Sequence, residues 1–109
     1  MAFTYKVLAQ SAPLATTATD IYTVGAGKQA LVSTITVANR SAIARTYRIA
    51  VRPAGATLAN QHYIAYDVAL AANDTTALTL GITLATTDVL TVYASTADLS
   101  FGIFGTEVT

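Results

Sequence analysis

The stretch RTYRIAVRP, Arg45–Pro53, alternates without a break: Tyr47, Ile49 and Val51 fall on one side, Thr46, Arg48, Ala50 and Arg52 on the other. A repeat of two sends successive side chains to opposite faces of a strand, whereas a helical stripe needs a repeat of 3.6. Pro53 removes a backbone donor and ends the strand. From Tyr47 to Leu84 no helical period competes. The Ala-rich DVALAAND is too short, and too close to turn residues, to hold a helix alone.

The same alternation recurs along the chain. FTYKVLAQS, Phe3–Ser11, sets Tyr5, Val7 and Ala9 against Lys6, Leu8 and Gln10. IYTV runs into GAGK, where Gly25 and Gly27 permit the positive φ of a tight turn. QALVSTITVANR, Gln29–Arg40, is the longest strand, with Leu31, Ile35 and Val37 on one face and Val32, Thr34 and Thr36 on the other. HYIAYDVAL puts His62, Ile64, Tyr66 and Val68 together, opposite Tyr63, Ala65 and Asp67. A turn at Asn73-Asp74 leads into a strand over Thr75–Leu80, and Gly81 marks a bulge or bend. VLTVYA and LSFGIFGTEV follow, the latter alternating Leu99, Phe101 and Ile103 with Ser100, Gly102 and Phe104. About eight strands separated by frequent turns predict an all-β fold: a single-domain antiparallel β-sandwich over residues 1–109, of jelly-roll or immunoglobulin-like type. The Pro- and Thr-rich APLATTATD sets the first strand apart, so residues 1–19 are open to acting as an arm or as a strand exchanged between subunits.

Composition narrows the function classes. Only 11% of residues are charged, against about 25% in an average soluble domain. The apolar 53% is rich in small side chains, with 22 Ala beside 19 Thr. So much weakly polar surface predicts burial against partners, a homo-oligomer first among them. With no Cys there is no disulfide, thiolate metal site or cysteine nucleophile. One histidine, His62, cannot supply a zinc site. Ser33, Ser41, Ser95 and Ser100 stand in no nucleophile elbow. The acids lie singly and lack calcium-loop spacing, and GAGK lacks the K-S/T pair of a phosphate loop. A non-enzymatic protein without cofactor or metal is expected. No apolar run reaches the ~20 residues that span a membrane. No charged and apolar leader is visible either, which predicts synthesis and retention in a cytoplasm. The sequons at Asn39 and Asn73 read as turn chemistry.

Charge is balanced but lopsided. Residues 1–54 carry six basic side chains against Asp20, a net of +5, and residues 55–109 carry five acids and no base, a net of −5. The halves either pair inside one domain or match a basic edge to the acidic edge of a neighbouring subunit. Arg40, Arg45, Arg48 and Arg52 cluster within 13 positions, and Arg48 and Arg52 leave one face of a strand about 13 Å apart. Zero net charge, and a Tyr47 that faces away from these arginines, argue against nucleic acid. The arginines, with the acidic turns at Asp74, Asp88 and Asp98, are candidate partner contacts. Tyr63 is the candidate platform for an alternative reading, a carbohydrate-binding module for host attachment.

YTVGAGKQALVSTITVANRSA, TYRIAVRPAGA, HYIAYDVALAANDTTALTLGITLATTDVLTVYAS and LSFGIFGTE follow one another in an order that resembles small β-rich virion proteins of tailed bacteriophages. The resemblance spans roughly Ile21 to Glu107 and includes no catalytic motif. It implies a structural protein of the virion, made in the host cytoplasm. The foremost such role is a capsid decoration (cement) protein, often a trimer, bound to the major capsid protein or other virion proteins. Tail, neck or fibre components are the alternative within that group.

Overall fold

Alternating segments can bury their apolar sides only by packing one sheet on another, and that is the outcome. A computed structural model describes residues 1–109 as nine strands: β1 (Phe3–Ser11), β2 (Thr19–Thr23), β3 (Gln29–Asn39), β4 (Arg45–Arg52), β5 (Tyr63–Leu70), β6 (Thr75–Leu78), β7 (Ile82–Leu84), β8 (Val89–Ala94) and β9 (Leu99–Val108). One sheet has the order β1-β9-β3-β6, with β7 also on β3, and the second has the order β2-β8-β4-β5. Every strand pairing is antiparallel.

The pairings are nested: β1 with β9, β2 with β8, β3 with β6 and β7, β4 with β5. This is one long antiparallel hairpin rolled so that successive pairs fall in opposite sheets. The strand expected over Thr75–Leu80 ends at Leu78 as β6, and beyond the bend at Gly81, φ 64°, the chain returns to β3 as a short further strand, β7. Counted as one interrupted strand, the pair completes the eight strands of a jelly roll. In an immunoglobulin-like sandwich the first two strands share a sheet; here β1 and β2 lie in different sheets. β1 lies on β9 of its own chain, from Phe3 opposite Val108 to Ser11 opposite Phe101. The linker behind it is pinned where the Thr16 N–H donates to the Ala94 carbonyl at 2.8 Å.

The core lies between the sheets. Val32, Ile35, Val37, Leu99, Phe101 and Ile103 face Tyr47, Ile49, Leu90 and Val92, and Tyr47 meets Phe101 edge-on at 6.3 Å. Each fully buried aliphatic side chain among them stabilises the fold by about 1.5–3 kcal/mol.

Three departures from strict alternation have one cause. An extra residue in a strand reverses the faces beyond it. In β3 the register against β9 shifts between Val32 and Thr34, so Val32, not Leu31, shares the core with Ile35 and Val37. Leu31 is turned out and exposed. In β1 a shift between Val7 and Ala9 separates Ala9 from the outward Tyr5 and Val7. In β5 two shifts against β4 break up the expected face: Ala65 stands opposite the buried Ile49, Tyr63 opposite Ala50, and Ile64 and Tyr66 are exposed. Asp67, at φ 50°, takes up one of the extra residues. Ala50 is buried despite its outward position, flanked in register by Tyr63 and Thr91.

Candidate partner-binding surfaces

Four of the seven candidate contact residues meet at one end of the sandwich. Asn39, buried at the end of β3, divides its Nδ2 donors among the carbonyls of Ile43, Leu70 and Ala71 at 2.9, 3.3 and 3.1 Å, and its Oδ1 accepts from the Ser41 N–H at 3.0 Å. The β3–β4 loop and the β5–β6 loop are thereby fastened together. Arg40 Nε donates to Ser100 Oγ at 2.8 Å, and its Nη2 donates to the Ala97 carbonyl at 2.7 Å. Arg45 Nη2 lies 3.3 Å from Asp98 Oδ2, which also accepts from Thr96 Oγ1. Asp74 caps its own turn by accepting from the Thr75 N–H at 2.8 Å, and its carbonyl accepts from the Asn39 N–H. Ile43 stands exposed on the loop between. Asn39 was legible only as a turn residue, because nothing in one sequence says that two distant loops share one amide.

Asp88 sits at the opposite end, accepting from the Ala54 and Ala85 N–H groups at 2.9 and 2.8 Å. Arg48 and Arg52 leave the outer face of β4 as expected, but both are paired within the chain. Arg48 donates to Asp67 through Nε at 2.6 Å and Nη2 at 3.2 Å. Its guanidinium also lies over the rings of Tyr66 and Tyr93, at 4.2 and 4.3 Å. The two-point hydrogen bond holds Asp67 below the usual carboxylate range and Arg48 above its own. Arg52 reaches Asp20 at 2.7 Å, Thr91 Oγ1 at 3.0 Å, and the carbonyls of Gly55 and Ala56. Tyr63, half-buried, stands edge-on to Tyr66 at 4.9 Å. His62 is buried in the turn before β5, where its Nδ1 accepts from the Ala59 N–H at 3.0 Å.

A second cluster lies beneath the β1–β9–β3 sheet, and sequence inspection passed over it. Glu107 is buried, accepts from Tyr22 Oη at 2.7 Å and from Lys6 Nζ at 2.9 Å, and has Lys28 Nζ at 3.7 Å. The Tyr22 hydroxyl first, and then Lys6, keep its carboxyl below the ordinary range. Burial, and next the bond to Glu107, push the Tyr22 hydroxyl up. With Arg45–Asp98 and Arg48–Asp67, these contacts pair the basic half of the chain with the acidic half inside one molecule.

The outer face of the β1–β9–β3 sheet is different in kind. Its strands and the adjoining β6 and β7 contain only two charged residues, Lys6 and Glu107, and these bond each other and Tyr22 of the opposite sheet on the inner side. Outward stand Phe3 (60% exposed), Tyr5 (83%), Val7 (48%) and Leu31 (42%). Phe104 folds over Gly102: a Cβ there would lie 2.9 Å from the Phe104 ring and 2.7 Å from Thr36 Oγ1. The ring thus lies back along the sheet where a side chain would otherwise stand. Leu31 joins this face because of the β3 bulge, and the bulge needs Gly105, whose Cβ would collide with the Leu31 carbonyl. Comparison of the chain with protein-family models, curated proteins and solved structures gives no match.

Proposed function

We propose that this protein is a non-catalytic structural subunit of a tailed-phage particle, made in the host cytoplasm and carried in the virion. Its role in this reading is capsid decoration, stabilising the assembled shell. The observation that carries the reading is the broad outer face of the β1–β9–β3 sheet, which offers Phe3, Tyr5, Val7 and Leu31 and no charged side chain. A contiguous apolar face of this kind is costly to leave in water and favours burial against protein. Jelly rolls serve capsid proteins, lectins and cupins alike, so the fold admits this role without selecting it. The resemblance to small virion proteins supplies the setting. The loop end with Arg40, Asp74 and Asp98 is the proposed contact with the major capsid protein. A ligand that binds only the assembled shell stabilises it by mass action. The test is co-sedimentation with emptied heads of the phage that encodes the chain, followed by thermal melting of those heads. Binding with a raised melting temperature is expected. Heads that neither bind the chain nor gain stability would refute the assignment.

A further inference from the structure

We infer that the occupant of the uncharged sheet face is a second copy of this chain, placed face to face about a two-fold axis. The inference rests on the reading above and names the partner of the surface that reading invokes. Three observations lead to it.

The first is charge. A patch used by both copies at once meets its own image, so any charged group near its centre would face a like charge. Phe3, Tyr5, Val7, Leu31, Phe104 and Thr106 include none. The whole chain is also neutral, so two copies approach without long-range repulsion. The outer face of the β2-β8-β4-β5 sheet fails the same requirement, because Arg48, Asp67, Arg52 and Asp20 stand on it.

The second is size. Four strand lanes at about 4.8 Å and a strand length near 33 Å give roughly 600 Å² of planar face. Side-chain relief raises the accessible area toward the ~800 Å² per partner of a standard stable interface.

The third is the edge. β1 is a long edge strand and could instead recruit a neighbour by backbone pairing. Two devices oppose that: Lys6 is turned inward to Glu107, and the register breaks between Val7 and Ala9. Both are ways in which edges are kept from pairing, and neither touches the face. With addition at the β1 edge disfavoured, this side of the sheet offers a second copy its face rather than its edge.

The test is light scattering over a micromolar concentration series, on the full chain and on Tyr5→Glu and Leu31→Lys. Both positions are exposed, and circular dichroism checks that the fold is kept. The expected result is a mass of twice 11.3 kDa for the parent chain and a single-chain mass for each variant. Arg48→Ala, on the opposite sheet, is expected to leave the doubled mass unchanged. A parent chain that stays monomeric throughout, or variants that keep the doubled mass, would overturn the inference. Co-sedimentation of the same variants with heads separates the two levels. If the parent is monomeric and the variants lose the heads, the face belongs to the shell and only the inference falls. If the parent is monomeric and neither parent nor variants bind the heads, the structural reading falls with it.

Discussion

The two sheets contribute to one core in the same way, yet their outer faces follow opposite rules. On the β2-β8-β4-β5 sheet, every charged group facing out has a partner in the chain: Arg48 has Asp67 and two tyrosine rings, and Arg52 has Asp20, Thr91 and two carbonyls. On the β1-β9-β3 sheet the charges are drawn inward to Glu107, and the outside is left to Phe3, Tyr5, Val7 and Leu31. The charges of the first face are closed on one another, with Ile64 and Tyr66 exposed beside them. The second gives the monomer little, which is why we propose a protein partner for it. Low overall charge is therefore not a diffuse property of this chain but is concentrated on one side.

Breaking the bulge should have the largest effect. Gly105→Ala drives a Cβ into the Leu31 carbonyl, a backbone atom that cannot rotate away. A loss of about 3 kcal/mol or outright failure to fold is expected, since a backbone clash inside a sheet has no cheap relief. Urea unfolding measures it. Gly81→Ala, where a Cβ has open space and only the positive φ is strained, should cost about 1 kcal/mol and serves as the contrast.

Next comes the inward charge cluster. Glu107→Gln replaces a carboxylate that accepts from Tyr22 and Lys6, and should cost about 1–2 kcal/mol, with Lys6 and Lys28 both partly solvated. The pH dependence has a fixed sign. Below 4.5, the ordinary carboxyl value, the unfolded chain takes up a proton that folded Glu107 still refuses. The contribution of Glu107 is thus complete above that pH and fades as pH falls through its depressed value. Melting temperatures between neutral pH and pH 3 should drop less in Glu107→Gln than in the parent. At the alkaline end the Tyr22 bond weakens only well above 10, the ordinary phenol value, because its raised value favours the neutral hydroxyl.

A smaller effect is expected on the closed face. Arg48→Ala removes an exposed ion pair and two cation–π contacts, a loss of about 1 kcal/mol in denaturant unfolding. Tyr5→Glu should be the smallest of all for the isolated monomer, within about 0.5 kcal/mol, because the side chain touches little in its own chain. If Tyr5→Glu destabilised the dilute monomer more than Arg48→Ala does, the contrast between the faces would be wrong.

The sandwich was legible because β4 and β9 keep strict alternation. Tyr47 and Ile49 face in with Leu99, Phe101 and Ile103, and Arg48 and Arg52 face out. Nested pairing was not legible, since alternation says which face a residue takes and nothing about which strand lies beside it. The uncharged face was hidden for a more particular reason. One extra residue near Ser33 moves Leu31 from the core to the surface, and only the glycine opposite, Gly105, carries a trace of that bulge in the sequence. The arginine cluster was visible, but its partners are Asp20, Asp67 and Asp98, brought close by pairing that sequence distance conceals. The even division of charge between the halves was the one hint that they would meet.

The most direct test of the central claim, that one face is kept for protein contact and the other has its charges closed on one another, is tyrosine nitration. It is read residue by residue on the dilute chain and again on the chain in its assembled state. Tyr5 should react readily when dilute and become protected on assembly, while Tyr66 on the opposite sheet keeps its reactivity. Protection of Tyr66 with Tyr5 left reactive would place the contact on the wrong sheet and contradict the account.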